Sequence, residues 1–174
     1  MEIPMFFRTI ELSPLSIWLR DSQSFWAYPV VLLAHTLGLV MLAGPSIVLD
    51  LRILGVAPQL PLSPMARFHK LVWWGFWVNL ASGTILLIAY PTKAFTDPVF
   101  YVKMASVFGA MICVQKIHHR LFRPSATRTD EMALAARNLA KLSLLCWSGA
   151  IIAGKFIEYT YRYVVHPSIL PRII

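Results

Sequence analysis

"SQSFWAYPVVLLAHTLGLVMLAGPSIVL", residues 22–49, holds no charged side chain. A bilayer with a hydrocarbon core of about 30 Å is crossed by about 20 apolar residues in a helix, and this run exceeds that. Read as one helix over 25–54, it is about 45 Å long at roughly 1.5 Å per residue. Such an element must tilt, bend or protrude, and Pro29 and Pro45 are its two places to bend.

Three further stretches follow the same logic. Residues 71–92 form a second uncharged run, opened by Trp73, Trp74 and Trp77 as an aromatic belt at the interface. Residues 98–119 are apolar apart from Lys103 and Lys116, each near enough to an end to reach water. Residues 137–161 carry Lys141, Lys155 and Glu158; the helix start is set by Thr129 as N-cap, with Asp130 and Glu131 in the first turn, where acids suit the helix dipole. Ahead of all four, Ser13 caps a short helix with Pro14 in its first turn. Leu15, Trp18, Leu19 and Ser22 share one face of it, and Arg20 and Asp21 point away, the pattern of a helix lying in the interface.

The expectation is an all-α integral membrane four-helix bundle with an N-terminal interfacial amphipathic helix. Its spans are about 25–54, 67–90, 98–119 and 137–161. A tail and surface helix occupy 1–24, the membrane domain 25–163 and a C-terminal tail 164–174. Three spans plus a surface helix is the alternative.

Composition agrees. The chain is 57% hydrophobic and 14% charged, against roughly 25% charged in soluble domains, and its mean hydropathy is +0.63. The net charge of +8 would suggest nucleic acid in a soluble protein. No basic helix, finger spacing or aromatic RNA motif accompanies it, so no nucleic-acid partner is expected. Cys113 and Cys146 stand apart in apolar segments and read as packing residues. The first residues have early acids and no sustained apolar core, and are read as a retained start rather than a signal peptide.

With four spans both tails share one side, here side A. Side B gathers Arg52, Arg67, Lys70, Lys116, Arg120, Arg123, Arg128, Arg137 and Lys141, whereas the 90–103 connection on side A has only Lys93 and Lys103. The positive-inside rule makes side B cytoplasmic and both termini periplasmic in a bacterial inner membrane.

Polar residues at lipid depth carry the functional information. "MICVQKIHHRLFRP", residues 111–124, ends an apolar stretch in two histidines. Counting at roughly 1.5 Å per residue puts His69 about 31 Å from side A and His118 about 30 Å. Two imidazoles at one height on different helices are what bis-histidine ligation of haem b requires, making both candidate metal ligands. Arg67 and Arg120, with Lys70 and Lys116, would pair with propionates, and Trp73 or Phe68 would wall the ring. The alternative is a basic collar where helices leave the lipid.

His35 is placed nearer mid-bilayer, on a face with Gly38, Leu42, Ala43 and Ser46 that admits either close helix packing or a flat cofactor. Asn79 falls at a similar depth. A His35–Asn79 hydrogen bond would satisfy both groups, and a proton, quinone or haem contact at His35 is the other reading. Asp50 and Arg52 are expected to anchor the first span at side B. No hydrolase, P-loop or zincin motif is present, and no enzymatic activity of the chain's own is expected.

"AHTLGLVMLAG…VLDLRILG", "SGTILL", "FYVKM" and "LSLLCWSGAIIAGKFIEY", in this order over residues 12–163, resemble a family of uncharacterised bacterial membrane proteins, a domain of unknown function. They are more loosely similar to copper-resistance D-type membrane proteins. The resemblance implies a four-span bacterial inner-membrane protein. The matching positions are His35, Asp50, Arg52, Gly83, Phe100, Lys103, Trp147, Gly154 and Tyr159. Lys155 stands where the pattern more often has Arg, and His69 lies outside it. No activity comes with it.

The leading functional expectation is a small membrane subunit of an electron-transfer system using haem b or a quinone near His35, His69 and His118. An accessory subunit packed against other membrane subunits is the alternative. A metal or small-solute permease is the third reading. The lipid bilayer is a partner in every case.

Overall fold

A computed structural model describes residues 5–22, 24–122 and 130–160. Within them the chain is helical without strands: α1 (Met5–Glu11), α2 (Pro14–Asp21), α3 (Tyr28–Leu54), a 3-10 turn (Ser63–Arg67), α4 (Phe68–Ala89), α5 (Pro91–Thr96), α6 (Pro98–Phe122) and α7 (Asp130–Thr160). Four of these helices are long and apolar enough to cross a membrane, as the sequence predicts. Their outward faces fit that solvent, with Trp74 68%, Phe108 68% and Leu145 71% exposed. In water such contiguous apolar surface is a liability; against acyl chains it costs nothing.

Element ends follow local chemistry. The chain enters α3 at Tyr28 with Pro29 in its first turn, so Pro29 starts the helix rather than bending it. Pro45 lies inside α3, where it deprives the Met41 carbonyl of its amide donor. Gly55, at φ 92°, closes α3. Its amide reaches the Arg52 carbonyl, and Val56 reaches Leu51 at 3.1 Å, the paired bonds of a glycine-terminated helix. Asp97 starts α6 by accepting the Val99 amide at 2.9 Å. α6 runs on to Phe122, beyond the expected 119. Arg123, Arg128 and Thr129 lie outside the described residues.

The expected surface helix is α2, capped by Ser13 as read. Its face divides, however. Ser16 and Leu19 are buried, and Ser16 Oγ donates to the Ala89 carbonyl at 3.2 Å, seating α2 on the end of α4. Leu15 and Trp18 stay about half exposed. α1 and α5 were not anticipated. Phe7 stacks on Phe95 with centroids 4.8 Å apart, and Arg20 bridges to Glu11 at 3.3 Å.

The long helices form two antiparallel pairs, α3 with α4 and α6 with α7, joined where α3 meets α7; α4 and α6 make little close backbone approach. Trp147, fully buried, packs with Leu42, Ala43, Val72, Ala110, Met111 and Val114 at the centre. A second cluster, Leu49, Met65, Ile117 and Ala140, closes the side-B end.

Candidate functional site

The α3–α4 seam is set by glycines. A Cβ on Gly38 would lie 2.8 Å from the Asn79 amide nitrogen, and one on Gly75 2.6 Å from that of Leu42. Small residues here serve close helix approach, one of the two uses foreseen. On the same seam His35 lies over Gly83, where an added Cβ would meet the ring at 3.1 Å.

His35 and Asn79 do meet, through each other's backbone. Asn79 Nδ2 donates to the His35 carbonyl at 2.8 Å, and His35 Nδ1 lies 3.2 Å from the Asn79 carbonyl. Ser82 Oγ is also 3.2 Å from Nδ1, while its own proton goes to the Val78 carbonyl at 2.6 Å. A carbonyl only accepts, so Nδ1 carries a ring proton, and in the neutral imidazole Nε2 then keeps a lone pair. Nε2 has no partner among the described residues, and it is not one of the sealed polar atoms.

Lys103 of α6 shares this level. It is half-buried, and its Nζ would lie 3.9 Å from a Cβ on Gly154 of α7. Counting from the side-A ends, His35 is about 10 Å deep and Lys103 about 8 Å. His35 is therefore shallower than the mid-bilayer estimate, because α3 begins at Tyr28.

At the other end His69 and His118 come together at one height, on α4 and α6 as expected. They do so face to face, with centroids 3.9 Å apart and planes 21° from parallel. Trp73 Nε1 donates to His69 Nε2 at 3.1 Å. That fixes the His69 proton on Nδ1, which is buried without a partner. The adjoining cavity, lined by Pro45, Ser46, Met65, His69 and His118 among others, is only ≈ 10 Å³, room for about one water. A haem between two histidines needs each ring edge-on, one nitrogen aimed at the iron. Here the rings cover each other and one nitrogen is spent on Trp73, so the pair as folded does not fit a haem held between them. Arg67 and Arg120 are exposed at this end. No group of three or more His, Cys, Asp or Glu gathers to hold a metal ion among the described residues.

Three features escaped the sequence reading. The Trp73–His69 bond was available from their spacing of four on a helix. Lys103, expected to reach for water, is half-buried with the end of its side chain against Gly154 of α7. Asp50, expected to anchor with Arg52, is 1% exposed, while Arg52 Nε donates to the Leu60 carbonyl at 2.6 Å.

Comparison of the chain with protein-family models, with curated proteins and with solved structures returns no match.

Proposed function

We propose that this protein is a small integral-membrane subunit of an electron-transfer system in a bacterial inner membrane, both termini periplasmic, and that His35 is the residue offered to a b-type haem. The observation that carries the reading is the His35 imidazole: Nδ1–H faces a backbone carbonyl and Nε2 keeps its lone pair at lipid depth. A carbonyl acceptor on one ring nitrogen is the usual way a protein orients the other toward a metal. Lys103 adds a cationic group at the same level, suited to a propionate. When bound, haem supplies one-electron carriage; the chain's own residues hold and orient it.

Purification in mild detergent, with visible spectra before and after dithionite, tests the proposal. A sharp reduced α-band from a b-type haem is the expected result. A colourless preparation that co-purifies stoichiometrically with other membrane subunits would overturn it and support the accessory reading.

A further inference from the structure

The face of α3 that packs inward runs from Gly38 through Leu42 and Ser46 to Asp50, all buried. Asp50 closes that stripe at 1% exposure, an acid on a face whose preceding turns place serine, leucine and glycine. Its polar neighbour on α7 is Ser143, and Trp147 follows one turn along the same helix; both are fully buried. Asp50 Oδ2, Ser143 Oγ and Trp147 Nε1 all lack a hydrogen-bond partner among the described residues.

The surrounding charges offer no compensation. From α6 the facing titratable group is the buried Cys113 thiol, and Lys116 is exposed. From α7, Arg137 and Lys141 are exposed. On α3 itself Arg52 turns to the Leu60 carbonyl. On the α4 side His69 belongs to the cavity beyond Ser46 and Leu49. No cation pairs with Asp50 among the described residues.

A carboxylate in such a place is strongly disfavoured unless something neutralises it. A hard metal cation asks for about six oxygen ligands, and the α7 face supplies one hydroxyl followed by an indole N–H, which repels a cation. A proton asks for a single lone pair. It also gives the side chain an O–H donor, for which the unpartnered Ser143 Oγ is an acceptor.

We propose that Asp50 is a proton-binding site, a carboxylic acid held neutral at the junction of α3, α6 and α7. The site is independent of any haem at His35 and stands or falls separately from it.

Infrared difference spectra between the wild type and Asp50→Asn, both in detergent at neutral pH, isolate this one side chain from the other acids. A carboxylic-acid C=O band present in the wild type and lost in the variant is the expected result. Carboxylate bands in that difference would overturn the proposal. A lipophilic carbodiimide, which attacks protonated carboxyls, gives a second measurement on the wild type alone. Peptide mass mapping should place the adduct on Asp50 at neutral pH. An Asp50 labelled only after acidification would overturn the assignment, as would a melting temperature raised by sodium over equal choline.

Discussion

Two seams of the bundle carry polar side chains across lipid depth, and they are built differently. Along α3–α4 the backbones nearly touch at Gly38 and Gly75, and the polar groups bond to backbone atoms that have no freedom to move. Between α4 and α6 the backbones stay apart. His69, His118, Trp73 and Phe76 fill that gap as a chain of rings. Rigid backbone partners leave His35 with one defined tautomer and one free lone pair. A gap filled by side chains lets two imidazoles stack face to face and leaves His69 Nδ1 without a partner among the described residues.

The largest expected effect tests the closeness of the first seam. Gly75→Val drives two methyls into the Leu42 backbone, and overpacking at this level costs about 3 kcal/mol, read as lost resistance to thermal unfolding in detergent. Gly44 has nothing within 4 Å of an added Cβ, so Gly44→Ala should be neutral or gain about 0.5–1 kcal/mol from helix propensity. Equal losses at the two glycines would break the contrast.

A middle-sized effect is expected at Asn79→Ala. It removes the 2.8 Å bond to the His35 carbonyl and should cost about 1 kcal/mol, the scale of a polar contact between membrane helices. The Asn79 carbonyl remains, so the His35 tautomer and any bound haem should survive the change. Loss of the reduced band in this variant would show that the side chain, and not the backbone, orients the ring.

The smallest effect belongs to the second seam. Trp73→Phe keeps the ring contact with Phe76 and deletes only the donor to His69. A loss near 0.6 kcal/mol is expected, together with a shift in the His69 nitrogen resonances as its proton becomes free to change place. An unchanged tautomer would mean that something other than Trp73 fixes it.

What was legible in the sequence followed from span length and periodicity. The uncharged run 22–49 and its three successors define the bundle, and equal counting from side A brings His69 beside His118. The His35–Asn79 pairing came from depth alone, yet its atoms did not, since both bonds run to carbonyls that a sequence does not position. Ring orientation at His69 and His118 was beyond reach for a related reason. Height along a helix is a sum over residues, whereas edge-on or face-on depends on the width of the α4–α6 gap. Asp50 was expected to anchor the first span because it stands beside Arg52 at the side-B end; the four-residue spacing from Leu42 through Ser46 was the stronger signal and points inward. α1 and α5 hold together through tertiary contacts such as Phe7 with Phe95, which no local pattern announces.

The reduced-minus-oxidised visible spectrum of His35→Ala, His69→Ala and His118→Ala, purified in parallel with the wild type, tests the contrast between the two seams most directly. The reduced α-band should vanish in His35→Ala and persist in the other two. A band that survives the loss of His35 and disappears with either His69 or His118 would contradict the account.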